Sequence, residues 1–284
     1  MTLAEKFGYL NTARHFFSDL FTNLHPNNVL ADLIVVSVND ITREFLDQYG
    51  IEAVIWDVDG TLMRYYGKAV DDSIKDAFDA LTVDKRLKHI ILSNSGEERF
   101  QELGRIFPEI SVLRMYESNP SIVKRKIYQH KETFTLEPKD DNQFYVSYIS
   151  EDDAKQKNSG VSKEVLGAKT KKLKDTIIYD KLYLPQQMCG RENYLAVLRD
   201  YYTIIKKPDT RLVEYAMEEL GITSPEKAAM VGDRAFTDIT GGNQAGVWTI
   251  QITHPLHPQT DPFLIKAFAR PVEAFFVKMY EAIK

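Results

Sequence analysis

The sequence holds a single cysteine, Cys189. One thiol excludes an intramolecular disulfide framework and a cysteine-rich zinc site, and it fits a reducing compartment. Cys189 stands in a weakly patterned stretch and reads as incidental. Long apolar runs are also missing: no stretch approaches the ~20 residues that span a bilayer. Glu5, Lys6, Arg14, His15 and Asp19 interrupt the N-terminal apolar residues, which leaves no secretory core, and the acids argue against a transit peptide. Positive charge is in deficit. Lys and Arg number 36 against 41 Asp and Glu, a net charge of −5, so the basic signature of general nucleic-acid binding is absent. There is no internal repeat. What remains is ordinary for a globular chain, 44% hydrophobic and 27% charged over 284 residues. That length permits one large domain, or a core carrying an inserted module. The expected location is cytoplasmic, with peripheral contact at a membrane surface as a second option.

The stretch Ala53–Leu62, Ala-Val-Ile-Trp-Asp-Val-Asp-Gly-Thr-Leu, organises the rest. Ala53 to Trp56 read as a short buried strand. Residues two apart on an extended strand share a side, so Asp57 and Asp59 address one point if the backbone stays extended. Gly60 permits a tight turn and a close backbone approach to a ligand. Thr61 adds a hydroxyl and an amide. Two carboxylates beside free amides suit a cation and a phosphate held together. Taken alone, the same residues also describe an exposed acidic turn.

Upstream, Leu3, Phe7, Leu10, Ala13, Phe17, Leu20 and Phe21 recur at helical steps and predict a helix over 3–24, packed on the body or resting on lipid. Ile34–Val38 reads as a strand, and Asp40 as the cap of a helix from Ile41 to about Tyr49. Beyond the central strand come a helix over Ser73–Leu81, a strand over Lys88–Leu92 and a helix over Glu97–Phe107. A third strand is expected over Ile110–Met115. Alternating strands and helices predict an α/β fold, a doubly wound parallel sheet. The pattern weakens from about Tyr116 to Tyr202, with strands expected at Phe144–Ile149 and near Thr176. It resumes with a helix from Asp209 to Leu220, strands at Ala228–Val231 and Val247–Ile252, and a terminal helix over Phe263–Ile283 that Pro271 kinks or breaks. The expected organisation is an N-terminal helical segment (1–50), a core (51–116 and 204–284), and an inserted cap-like or partly disordered segment (117–203).

Asp57-Val58-Asp59-Gly60-Thr61, then Ser93, then Lys207, then Gly232-Asp233 with Asp238, form an ordered set. All but the lysine stand just past a predicted strand, at the sheet edge where open α/β folds bind ligands. The set supplies a carboxylate nucleophile, a second carboxylate for proton transfer, acids for a hard cation, and hydroxyl and ammonium groups for phosphate oxygens. In this order the motifs resemble the haloacid dehalogenase superfamily, with its Rossmann-like core and an insertion between the second and third motifs.

The resemblance implies Mg²⁺-dependent hydrolysis of a phosphate monoester through an aspartyl-phosphate. Asp57 is then the nucleophile and Asp59 the general acid and base, which also holds the metal through its main-chain carbonyl. Gly60, Thr61, Ser93, Asn94 and Lys207 bind the phosphoryl group, and Asp57, Asp233 and Asp238 complete the metal set. Lys206 competes with Lys207 for the lysine role, and the Lys-Pro pair favours Lys207. Asp238 either binds metal or orients Lys207. Arg64, Tyr65 and Tyr66 touch either substrate or solvent, and His254 and His257 read as loop residues. Gly232-Asp233-Arg234-Ala235-Phe236-Thr237-Asp238-Ile239, with Gly241-Gly242-Asn243-Gln244-Ala245-Gly246, further resembles the YqeG-type branch related to phosphatidylglycerophosphate phosphatases. The chain departs from that compact branch in its insertion and in Asp-Gly-Thr where Asp-Asn-Thr is usual. The expected partner is therefore a small-molecule or lipid phosphate ester and no nucleic acid. Two alternatives stand beside the lipid phosphatase: a soluble sugar- or nucleotide-phosphate phosphatase with 117–203 as its cap, and a non-catalytic binding protein on the same core.

Overall fold

The computed structural model describes residues 25–118, 122–128, 132–139, 143–150, 170–173, 176–179 and 202–282. The predicted helix over 3–24 and Cys189 lie outside them. The chain divides into two compact units, one formed up to Lys88 and from Lys207 onward, the other by His89–Lys206.

The first unit opens with α1 (Pro26–Val29), β1 (Leu33–Val35), α2 (Arg43–Gln48), β2 (Ala53–Trp56) and α3 (Lys75–Val83). The chain then supplies β3 (Lys88–Leu92), α4 (Glu97–Ile106), β4 (Ser111–Ser118), β5 (Ile122–Tyr128), β6 (Glu132–Lys139), β7 (Gln143–Ser150), β8 (Thr170–Leu173), β9 (Thr176–Tyr179) and β10 (Tyr202–Ile205). It ends with α5 (Thr210–Glu219), β11 (Ala228–Gly232), α6 (Thr240–Ala245), β12 (Trp248–Ile252) and α7 (Arg270–Glu281).

In the first unit the strands run parallel in the order β1-β12-β11-β2. Every residue of β2 and β11 is buried. Central parallel strands are covered on both faces, so their sequences are continuous apolar runs and not alternating ones. Val54, Ile55, Trp56, Met230, Val231 and Ile250 form the core with Tyr215 and Ala216 of α5, all fully buried. The Trp56 ring meets Phe78 of α3 edge-on at 5.4 Å. This is the doubly wound α/β architecture that the alternating pattern predicts.

Two local expectations are corrected. Asp40 does not cap α2: its carboxylate accepts from the Val36 and Ser37 N–H groups at 2.9 Å each, while the Thr42 hydroxyl takes the capping role by accepting from Phe45 N–H. The competing local turn claims Asp40 first. Pro271 does not break the terminal helix. It lies in the first turn of α7, and the preceding turn, Ile265–Ala269, is π-helical. A wider turn relieves the clash of the proline ring with the carbonyl four residues back.

In the second unit β3 and β4 pair in parallel, and β4 pairs antiparallel with both β5 and β10. β5 continues to β9 and β8, and β6 pairs with β7 as a separate hairpin. The strand expected at Phe144–Ile149 lies within β7, and β9 covers Thr176–Tyr179. Among the described residues no helix is long and apolar enough to cross a membrane.

Candidate active site

Strand register builds the site. Val231 of β11 is the partner of Trp56 in β2, so both strands leave the sheet at one edge, β2 into Asp57 and β11 into Asp233. Asp57 N–H still donates to the Val231 carbonyl at 2.9 Å. The chain then folds back at once. The N–H groups of Thr61, Leu62 and Met63 converge on the Val58 carbonyl at 3.2, 2.9 and 3.1 Å. The turn takes Gly60 to φ +94°, and a Cβ there would stand 2.6 Å from Asp233 Oδ2. Glycine is required on both counts. A Cβ on Gly232 would likewise run into the Asp238 carboxylate.

Asp57, Asp233 and Asp238 are all buried, and each offers a carboxylate oxygen within 4.8 Å of the others. Lys207 is buried among them. Its Nζ donates to Asp57 Oδ1 at 2.5 Å and stands 2.7 Å from Asp238 Oδ1. The Thr61 hydroxyl reaches Asp57 Oδ2 at 3.3 Å and Asp233 Oδ1 at 3.5 Å. Asp238 Oδ2 accepts from Arg234 N–H at 3.1 Å.

Three buried acids crowd one another, with Lys207 on Asp57 and Asp238 and Arg270 on Asp233. Burial, with Asp238 and Asp233 adding to it against the pull of Lys207, pushes the Asp57 carboxyl up to about 8. Burial likewise raises Asp233 to about 6, with Arg270 opposing it. Burial works against the Lys207 charge, but Asp238 and Asp57 outweigh it and hold the ammonium well above its ordinary range.

These residues fit a divalent cation. The donors are hard carboxylate oxygens, as Mg²⁺ requires. The Thr61 hydroxyl lies at 3.3 Å from Asp57 Oδ2 and 3.5 Å from Asp233 Oδ1, long contacts that leave these two oxygens able to turn to a cation.

The Asp59 carboxylate stands outside the cluster. The chain turns at Val58 instead of staying extended, and Asp59 Oδ1 accepts from Tyr66 N–H at 3.3 Å. Its side chain is half-buried beside the Tyr65–Tyr66 pair, whose rings meet edge-on at 4.7 Å. Burial raises the Tyr65 hydroxyl, whereas Tyr66 is exposed. Lys206 is exposed and belongs to the second unit. Ser93 and Asn94 also belong to that unit, directly after β3. His257 pairs with Asp71 at 2.7 Å, and His254 contacts Thr253 in the same loop region.

Several charged residues escaped the sequence reading. Arg270 stands 2.7 Å from Asp233 Oδ2 and also pairs with buried Asp261. Arg234 and buried Glu273 form a two-pronged pair, Nε–Oε2 and Nη2–Oε1 each at 2.8 Å. In the second unit Arg114 is buried and donates to the Gly96 and Ser95 carbonyls, pinning the loop that carries Ser93 and Asn94. The available signal was charge at positions that helical spacing turns inward. Arg270 and Glu273 are one turn apart on a helix whose Ala269 is buried.

Comparison with known proteins identifies a family for the chain. Residues 51–246 match the family described as haloacid dehalogenase-like hydrolase. Phosphatidylglycerophosphate phosphatase 1 of Arabidopsis thaliana is 41% identical over 66 residues, 23% of this chain and 18% of that protein. Phosphoserine phosphatase of Thermus thermophilus is 43% identical over 58 residues, 20% of this chain and 22% of that protein. The matched stretches thus span about a fifth of either relative. A haloacid dehalogenase-like hydrolase from Brucella suis superposes with a TM-score of 0.35 at 13% identity, covering 75% of this chain and 93% of the other. The family match takes in β2, Asp57, Lys207, Asp233 and Asp238 and extends over more than half of the sequence, and the chain belongs to the haloacid dehalogenase-like hydrolases.

Proposed function

We propose that the protein is a Mg²⁺-dependent phosphomonoester hydrolase with Asp57 as its nucleophile. The observation that carries this reading is the Asp57 carboxylate itself. It stands at a strand end with a lysine on one oxygen and a threonine hydroxyl on the other, inside a buried triad of acids. Asp57, Asp233 and Asp238, with the Asp59 carbonyl, would hold the cation, which when bound neutralises carboxylate and phosphoryl oxygens.

An Asp57 oxygen attacks phosphorus as the ester oxygen departs, taking its proton from the Asp59 carboxyl. Asp59, now a carboxylate, then removes a proton from water, which attacks the acyl phosphate. Inorganic phosphate leaves and both carboxyl groups return to their starting states. Lys207 and Thr61 stabilise phosphoryl oxygens from fixed positions, beside the Gly60 turn.

The first substrate candidate is phosphatidylglycerophosphate or a related lipid phosphate. The Gly232–Gly246 motif and the short match to the Arabidopsis phosphatase support it. Phe263, Phe268 and Phe275 are 76, 55 and 62% exposed around the terminal helix, which suits peripheral contact with a membrane surface. A soluble phosphate ester is the second reading, favoured by the strands within 117–203, which would act as a substrate-choosing cap, and by the match to phosphoserine phosphatase.

Phosphate release with Mg²⁺ from lipid, sugar and nucleotide monoesters tests both, with Asp57→Asn as control. Turnover that Asp57→Asn abolishes is expected. Turnover that survives the substitution would exclude Asp57 as nucleophile. Liposome flotation without binding would remove the membrane contact.

A further inference from the structure

We propose that Arg270, held by Asp261, is a positioning residue for the Asp233 carboxylate, supplied by a C-terminal segment beyond the family match. The proposal rests on the cation-dependent reading of the site.

The geometry is specific. Arg270 and Glu273 are three residues apart on α7 and share one face. Arg270 takes Asp233 Oδ2 at 2.7 Å, while Glu273 takes the guanidinium of the next residue, Arg234, at 2.8 Å. One helical turn therefore grips two consecutive residues of the acidic motif with opposite charges in the matching order. Slipping the helix by one residue would break both pairs.

Arg270 is itself fixed. Its Nε pairs with Asp261, whose side chain is 3% exposed, and the Asp233 side chain is fully buried. The matched family region ends at residue 246, before Asp261, Arg270 and Glu273. Buried ion pairs are a poor means of merely attaching a helix, because desolvation offsets much of their attraction. Their placement on a carboxylate of the triad favours a role in the site.

Arg270 supplies positive charge at Oδ2 and blocks rotation of the carboxylate while Oδ1 remains turned toward the Thr61 hydroxyl. Partners that orient a metal ligand in this way typically change metal affinity about 10–100-fold when removed.

The test is calorimetric titration of the full chain with Mg²⁺, comparing wild type with Arg270→Met, Arg270→Lys, Asp261→Asn and the exposed-site control Lys278→Ala. Arg270→Met is expected to weaken Mg²⁺ binding at least about tenfold. Arg270→Lys should recover part of the loss, Asp261→Asn should weaken binding several-fold, and Lys278→Ala should match wild type. The Mg²⁺ concentration for half-maximal phosphate release should rise in parallel, while the rate at saturating Mg²⁺ stays within about threefold of wild type. A role in stability alone would not move that concentration.

A folded Arg270→Met that binds Mg²⁺ as tightly as wild type, or more tightly, overturns the proposal. Should Arg270→Met fail to fold, Asp261→Asn decides, and unchanged affinity there also overturns it. A wild-type chain that binds no Mg²⁺ would instead defeat the cation-dependent reading, and this inference with it.

Discussion

At Gly60 two demands meet: a left-handed backbone at φ +94° and a Cβ position already taken by Asp233 Oδ2. Gly60→Ala meets a backbone cost of about 1–2 kcal/mol and a clash inside the acid triad. It is expected to lower the unfolding free energy, read from urea denaturation, by at least that much and to weaken Mg²⁺ binding. Lys207 poses the opposite problem, a buried cation with two acids on it. Lys207→Met leaves buried Asp238 without its lysine and should destabilise the cation-free protein by about 3–5 kcal/mol, read from urea unfolding. Added Mg²⁺ should restore part of the loss.

The raised acids set a pH dependence. The unfolded chain ionises Asp57 and Asp233 near 3.8, whereas the folded site keeps them protonated up to about 8 and about 6. These two groups therefore make the cation-free fold progressively less stable as pH rises through that window. A cation displaces the same protons, so Mg²⁺ affinity should rise from pH 6 to 8, by up to about tenfold per unit for each proton displaced. Titrations in buffers of different ionisation enthalpy count those protons. Affinity that falls over this range would contradict the charge balance of the triad.

Among the elements, β2 and β11 were legible in the sequence because both are short apolar runs ending in acids, and burial on both faces demands that composition. α7 was legible as a helix but not in detail. Helical periodicity shows which face is apolar, not that Pro271 is accommodated by a π turn before it. Since the preceding π turn already accommodates the proline ring, Pro271→Ala should change stability by less than about 1 kcal/mol in urea unfolding. A large stabilisation would mean that the proline strains the helix after all. The Asp40 cap failed for a related reason. Side chains that cap helices also close turns, and only the folded loop decides which N–H groups come within reach.

For the whole molecule, the register between β4 and β10 has a practical consequence. Ser118 is the Cα partner of Tyr202, so the two ends of the intervening segment are neighbours. Replacing 119–201 by a two-residue Asn-Gly turn joins those ends without stretching either strand. The triad and Lys207 lie outside the deleted segment, so the shortened protein is expected to bind Mg²⁺ within about threefold of wild type by calorimetry while its substrate preference changes. Loss of Mg²⁺ binding in a folded deletion would show that the segment supports the triad itself.

What the sequence determined by itself is the chemistry that follows strand ends. Asp57, Asp233 and Asp238 could be found because each adjoins or follows an apolar run, and local pattern is enough to mark such positions. Tertiary structure decided everything that depends on distance between remote residues. It brought Lys207, rather than Lys206, within reach of Asp57 and Asp238, turned the Asp59 carboxylate toward Tyr66, and carried Arg270 to Asp233 from 37 positions along the chain. Charge pairing acts through space, and a linear sequence holds no record of which buried charge will need which partner until the sheet and the terminal helix have packed.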